Sequence, residues 1–287
     1  MSEGTGRKAS IPFEKYHGTG NDFVVIDARE RVPNRAKLAA RACDREAGIG
    51  ADGVLFLALE PDYRPPRVVM TLVQPDGGTA PMCGNGARCA TAWAIERTGA
   101  ECVMVDTQAG SRRGERVDDG FGVEMGRPSF APADVPLDAD EPIVEQTVAE
   151  LTVTAVNTGV GHAVAFVDDV DAVDLGTVAP PVRHADVFPR GTNVTLASPT
   201  DDGAGFHQRT FERGVEGETD ACGTGAVAIV AAARRLGHTD AATVPVRPPG
   251  GELRVTVTDD GRTRLAGRVE RAFDGRVTVD GSPVTEP

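Results

Sequence analysis

The sequence predicts an α/β (α+β) protein of two pseudo-symmetric halves with similar topology, and three observations carry that prediction. Met82-Cys83-Gly84-Asn85-Gly86-Ala87 returns as Ala221-Cys222-Gly223-Thr224-Gly225-Ala226, each copy followed by an Ala-rich run that reads as a helix. Gly18-Thr19-Gly20-Asn21-Asp22-Phe23 can be laid on Gly159-Val160-Gly161-His162-Ala163-Val164, and Gly50-Ala51-Asp52-Gly53-Val54 on Gly191-Thr192-Asn193-Val194-Thr195, both at an offset of 141 residues. The cysteines repeat at 139. Short β-branched or apolar runs bounded by turn residues alternate with helical stretches in both halves. A duplicated domain whose halves meet across a pseudo-twofold axis follows.

In chain order, strands are predicted over 23–27, 54–59, 68–73 and 102–107. Helices are predicted over 35–47 and 85–97, the second ending at Gly99 as a C-cap. The second half repeats the scheme with strands over 163–167, 192–197, 206–212 and 253–257, and a helix over 225–236 closed by Gly237. The Pro- and Asp-rich stretch 128–142 reads as the linker, and a last strand over 276–280 returns to the first half. The expected domains are therefore 1–128, completed by 275–287, and 129–274.

The 287 residues are 40% hydrophobic, enough for one large core or two ordinary ones. No run approaches the roughly 18 apolar residues of a membrane span. The opening Met-Ser-Glu-Gly-Thr-Gly-Arg-Lys has no apolar signal core, so a cytoplasmic protein without a membrane partner is expected. A net charge of −13 argues against nucleic acid, whose phosphates are met by Lys and Arg. The same acidic balance suits solubility and is compatible with a saline cytosol. Five cysteines, with no C-x-x-C pair, predict neither a disulfide framework nor a metal site. Cys43, Cys89 and Cys102 read as small hydrophobes. Gly48-Ile49-Gly50-Ala51-Asp52-Gly53 spells G-x-G-x-x-G but follows a helix and enters a strand, the reverse of a dinucleotide fingerprint.

The repeated cysteine motif carries chemistry. A helix start offers unpaired N–H groups and a partial positive charge that hold a carboxylate without a basic side chain. That field lowers a thiol pKa, and glycine lets the backbone approach a ligand. Two such starts aimed at one carboxylate place two thiols at the adjacent α-carbon. One thiolate removes the α-proton, the other thiol delivers one, and the helix-start amides stabilise the charge that builds on the carboxylate.

His17-Gly18-Thr19-Gly20-Asn21-Asp22-Phe23, Cys83-Gly84-Asn85-Gly86-Ala87-Arg88-Cys89 and Glu212-Arg213-Gly214-Val215-Glu216-Gly217-Glu218-Thr219-Asp220-Ala221-Cys222-Gly223-Thr224-Gly225 together closely resemble diaminopimelate epimerase. The resemblance implies two lobes, each a strongly curved mixed sheet around a central helix, with the active site in the cleft between them. It implies cofactor-independent interconversion of LL- and meso-2,6-diaminopimelate by two thiols, in lysine biosynthesis. The partner is then a small-molecule substrate, and a homodimer is compatible with it. Carried over by motif, Cys83 and Cys222 are the acid/base pair. Gly84, Asn85, Gly223 and Thr224 supply helix-start amides. Glu212 contacts a substrate amino group and helps set the protonation of a thiol, Arg213 binds the distal carboxylate, and His162 assists proton traffic. Asn21 and Asn193 read the amino and carboxylate groups.

The chain departs from the family at three of these places. Gln74 stands where Asn is usual, and keeps an amide at one extra methylene. Gly159-Val160-Gly161-His162 replaces Gly-Asn-Pro-His, which removes one Asn contact, with Asn157 nearby. Gly53 stands where some relatives offer Gln. Plain structural roles compete with each assignment: Asn21 and Asn193 as turn residues, Glu212 and Arg213 as an ion pair, His162 as a hydrogen-bonded loop residue. Two other functions also fit a paired cysteine motif. A proline or hydroxyproline racemase of the same fold typically shows Cys-Gly-His-Gly and lacks Glu-Arg-Gly, and a thiol redox sensor would join Cys83 to Cys222.

Overall fold

The computed structural model describes residues 10–279 and 282–283. They fall into two compact units, one made of the described residues up to Arg116 with those from Val269 onward, the other of Val117–Arg268.

In the first unit β1 (Ser10–Gly18) and β2 (Asn21–Asp27) form a hairpin whose two-residue turn, Thr19-Gly20, has positive φ at both positions. That is the turn whose twist matches paired strands. The apolar run Phe23-Val24-Val25-Ile26 makes β2 a fully buried strand, parallel to β3 (Gly53–Glu60). α1 (Arg35–Ala42) covers it, capped by Asn34 Oδ1 on the Lys37 N–H. The helix predicted to run to 47 stops at Ala42 because the Asp44 carboxylate takes the N–H groups of Glu46 and Ala47. β4 (Arg67–Val73) pairs antiparallel with β3 and with the short β5 (Thr79–Ala80). α2 (Gly84–Thr98) is buried without a break from Gly84 to Ile95 and packs on β1 to β4 and on β6 (Cys102–Thr107). A helix buried on every side sits inside its sheet, with the strands of the unit packed about it. β7 (Gly110–Val117) closes this part of the sheet against β6.

The second unit repeats the pattern. It opens with β8 (Gly120–Gly126), followed by β9 (Gln146–Val148), β10 (Leu151–Asn157) and β11 (Gly161–Phe166). After α3 (Leu175–Arg183) come β12 (Asn193–Pro199), β13 (Phe206–Glu212) and β14 (Gly217–Thr219). α4 (Gly223–Leu236) is the buried central helix, and β15 (Thr243–Arg247), β16 (Leu253–Val257) and β17 (Thr263–Gly267) complete the sheet. The order antiparallel, parallel, antiparallel, parallel along β1, β2, β3, β4 and β6 recurs along β10, β11, β12, β13 and β15. The duplication predicted from short sequence matches is thus a duplication of topology.

The units change hands at other places than 128/129 and 274/275. β8 pairs with β17, which carries 117–126 into the second unit. The expected linker 128–142 packs there as well, with Val135 in that unit's core beside Ile143, and Asn157 bridging back to Ser129. α3 was hidden from sequence by Pro180 and Pro181, which sit in the helix where a breaker is expected. The chain returns to the first unit as β18 (Glu270–Thr278), paired antiparallel with β1. Residue 280 of the predicted last strand lies outside the described residues, as do residues 1–9.

Candidate active site

In the first unit Cys83 is the N-cap of α2, its Sγ accepting the Gly86 N–H at 3.4 Å. The N–H groups of Gly84 and Asn85 open the helix, where no carbonyl one turn earlier can take them. Below them lies a buried polar cluster. Asn85 Nδ2 donates to Asn21 Oδ1 at 2.7 Å and to the Thr19 carbonyl at 3.3 Å, while Asn21 Nδ2 donates to Asp52 at 3.0 Å. Arg88, fully buried, donates to Asn85 Oδ1 (2.6 Å), the Gly18 carbonyl and the Thr19 hydroxyl (both 3.2 Å). Burial pushes its guanidinium down to about 10, still charged at neutral pH. The Asn85 side chain is therefore spent on the protein, and what it can offer a ligand is its backbone N–H. Asn21 keeps one amide hydrogen and one lone pair. Gln74 is exposed at the end of β4, in a turn closed by its own N–H on the Gly78 carbonyl. At Gly53 a Cβ would stand 2.6 Å from Leu72 Cδ1, so the glycine makes room for packing.

In the second unit Cys222 is the N-cap of α4 and is buried, its Sγ 3.3 Å from Thr224 Oγ1. Burial pushes its thiol well above the ordinary range, and the Glu212 carboxylate adds to the push. The lowering predicted from the helix start is reversed here. Glu212, at the end of β13, accepts from the Thr219 hydroxyl at 2.6 Å. The next residue, Arg213, is exposed, with its N–H on Asn193 Oδ1 (2.8 Å) and its guanidinium on the Arg190 carbonyl (3.2 Å). The loop behind them is held by Glu216, which accepts from Arg183 of α3 at 2.8 Å.

His162 is fully buried on β11, between Thr195 (Nδ1 to Oγ1, 3.0 Å) and Thr224 (Nε2 to Oγ1, 3.0 Å). Burial, with the nearby Arg213 cation, pushes its imidazole down to about 3. It is neutral throughout the physiological range. In this place the ring is a neutral hydrogen-bonding group between two threonine hydroxyls. Asn157, nearby in sequence to the missing Asn, donates to the Asp134 carbonyl (2.6 Å) and accepts from Gly159 (2.7 Å), so its amide is committed to the loop.

The two clusters correspond position by position. Asn21, Asp52 and Asn85 in the first unit match His162, Asn193 and Thr224 in the second, each set joined by hydrogen bonds under a cysteine-capped helix. Sequence reasoning missed Asp52, Arg88, Thr195, Gln208 and Thr210 as parts of these clusters. For the last two a signal existed: along β13 the buried phase reads Phe206, Gln208, Thr210, polar residues where alternation calls for apolar ones. Among the described residues no group of three or more His, Cys, Asp and Glu is arranged to hold a metal ion.

Comparison with known proteins fits this doubled arrangement. The model of the family described as diaminopimelate epimerase matches twice, over residues 13–131 and 154–272. Those two matches are offset by 141 residues, the spacing of the repeats. A diaminopimelate epimerase of Methanocella arvoryzae is 43% identical over 284 residues, covering 95% of this chain and 98% of that protein. One of Archaeoglobus fulgidus is 40% identical, covering 92% and 95%. Among solved structures, a phenazine biosynthesis protein of the PhzF family from Bacillus anthracis superposes with a TM-score of 0.65 at 15% identity, covering 94% of this chain and 99% of that one. A hydroxyproline epimerase from Agrobacterium vitis gives 0.63 at 18%, covering 96% and 92%. At such identities these two speak for the fold alone. With the family model seated on both halves and sequence likeness running nearly end to end, the chain belongs to the diaminopimelate epimerase family.

Proposed function

We propose that this protein interconverts LL- and meso-2,6-diaminopimelate, in lysine biosynthesis, with Cys83 and Cys222 as its two bases. The observation that carries the reading is the placement of each cysteine as N-cap of a glycine-started central helix, one in each unit. In either direction one cysteine, as thiolate, takes the α-proton while the other gives its S–H proton to the same carbon. The configuration inverts and the thiolate changes owner. The N–H groups of Gly84, Asn85, Gly223 and Thr224 meet the carboxylate next to the reacting carbon, where negative charge grows. Glu212 takes a substrate ammonium group. Arg213, Asn21, Gln74 and Asn193 read the remaining amino and carboxylate groups, the guanidinium fork suiting the distal carboxylate. No cofactor enters these steps. The protein is read as cytoplasmic and without a nucleic-acid partner; a homodimer is compatible, and sedimentation velocity measures it. No helix among the described residues is long and apolar enough to cross a membrane.

The test is incubation of reduced protein with LL-diaminopimelate in deuterium oxide. Epimerisation with deuterium at the α-carbon is expected, lost in Cys83→Ala and in Cys222→Ala and retained in Cys89→Ala. Inertness toward diaminopimelate with turnover of proline or hydroxyproline would overturn the substrate assignment, and an active Cys222→Ala the paired-thiol mechanism.

A further inference from the structure

Behind Cys222 the second unit holds a ring of buried hydrogen bonds whose directions can be deduced. The Arg213 backbone N–H can only donate, so the atom of Asn193 it meets at 2.8 Å is the amide oxygen. Asn193 Nδ2 then faces His162 Nε2, at 3.4 Å. Two donors cannot face each other, so Nε2 carries no proton and the neutral ring is protonated on Nδ1. Nδ1 donates to Thr195 Oγ1 at 3.0 Å, and Thr195 lies 3.3 Å from Thr210 Oγ1. Gln208 completes the ring. Its amide nitrogen meets the Cys222 carbonyl at 2.9 Å, which can only accept, and gives its other hydrogen to Thr210 Oγ1 at 3.0 Å. Its Oε1 is buried and without a partner among the described residues, so the amide is held by its nitrogen. The ring thus starts at the Cys222 backbone and ends, through Thr224, at the Cys222 sulfur.

We propose that Thr195, Thr210 and Gln208 are positioning residues that hold His162 in the Nδ1-protonated form, so that the Thr224 hydroxyl can turn between His162 Nε2 and Cys222 Sγ. With Cys222 as thiol, its S–H donates to Thr224 Oγ1 and the Thr224 O–H donates to Nε2. When Cys222 gives its proton to the α-carbon, the S–H bond breaks, a C–H bond forms and a buried thiolate remains. Thr224 then turns its O–H to the sulfur, and the single Nε2 lone pair, until then shared between the Thr224 O–H and the longer Asn193 contact, is left to Asn193 Nδ2. No proton passes along the ring itself. The titratable and charged groups near it are Cys222, Glu212 and Arg213. The matching positions of the first unit carry Asn21, Asp52 and Asn85, with no imidazole and no hydroxyl, so those positions do not repeat the turning donor found beside Cys222. The proposal rests on the two-thiol reading for its catalytic consequence, but not for its geometry.

Nitrogen NMR of histidine-labelled, substrate-free protein reads the tautomer directly. His162 is expected neutral and Nδ1-protonated, with that signature disturbed in Thr195→Val and restored in Thr195→Ser. In turnover, Thr224→Val keeps its backbone N–H but loses the donor, which is expected to lower kcat about 10- to 100-fold, the worth of a charge-assisted hydrogen bond, with KM within about twofold. An Nε2-protonated or cationic His162 overturns the proposal, as does Thr224→Val with undiminished kcat. The expected tautomer in a protein inert toward diaminopimelate would instead sink the substrate reading and leave the ring standing. Should Thr195→Val fail to fold, the wild-type spectrum and Thr195→Ser still decide it.

Discussion

Gly86 and Gly225 hold the same place in the two central helices, three residues past each cysteine, yet they are glycine for different reasons. A Cβ at Gly225 would lie 2.6 Å from Gln208 Nε2 and 3.1 Å from Thr210 Oγ1, so any side chain there displaces the ring behind Cys222. At Gly86 the nearest atoms, Leu55 Cδ2 at 3.4 Å and Cys83 Cβ at 3.5 Å, are ordinary contacts. Gly225→Ala is therefore expected to cost about 1–3 kcal/mol, as overpacked cores do. Gly86→Ala is expected to be neutral or to gain up to about 1 kcal/mol from helix propensity. Urea denaturation of the two variants checks this, and equal losses would contradict it. The cysteines and the capping glycines Gly99 and Gly237 were legible in the sequence because they obey local rules of helix ends. Gln208, Thr195 and Thr210 were not, because a buried polar residue is explained only by partners that tertiary structure brings to it.

At the scale of elements, β18 shows how a strand distant in sequence is fastened. Glu14 of β1 accepts from Trp93 Nε1 (3.2 Å) and pairs with Arg97, both of α2, and with Arg271 of β18 (3.2 Å). One carboxylate ties two strands to the central helix of the first unit. Beside it the Phe13 ring lies against Gly275, where a Cβ would come within 2.9 Å. Glu14→Gln keeps the shape but loses the charge and sets an amide N–H₂ against guanidinium and indole donors. A loss of about 1–3 kcal/mol is expected, the cost of leaving partly buried donors unpaired. Arg29→Ala, at a pair whose cation is 85% exposed, should leave stability close to that of the parent protein, because solvent screens the pair. Comparable losses in thermal or urea melts of the two variants would refute the distinction. The return of a last strand to the first half was expected from the sequence; its anchor was not, since nothing in the spacing of Glu14, Trp93 and Arg271 marks them as neighbours.

For the whole molecule, the duplication was readable because short motifs kept their order at nearly one offset, and topology repeats with them. The boundaries of the units were less readable, since 128–142 has the composition of a linker while Val135 and its neighbour Ile143 are core residues. Charge acts at this largest scale. The chain carries 43 acidic and 30 basic side chains, so thirteen negative charges have no counterpart. Many of the rest form exposed pairs such as Arg254–Asp119 and Arg247–Glu252, each worth at most about 1 kcal/mol. Added salt weakens both those attractions and the net self-repulsion, but its balance is set by the excess. The screening length falls from about 10 Å at 0.1 M to about 3 Å at 1 M, short of most separations between unpaired surface charges. Repulsion among carboxylates is thus relieved over the whole surface, whereas close ion pairs at about 3 Å keep much of their attraction. Melting temperature is therefore expected to rise as potassium chloride is raised from about 0.1 M to about 1 M. A charge-balanced variant, with several exposed Asp or Glu residues replaced by Lys, should lose most of that rise. A flat or falling curve for the parent protein would show that its acidic excess does not limit its stability.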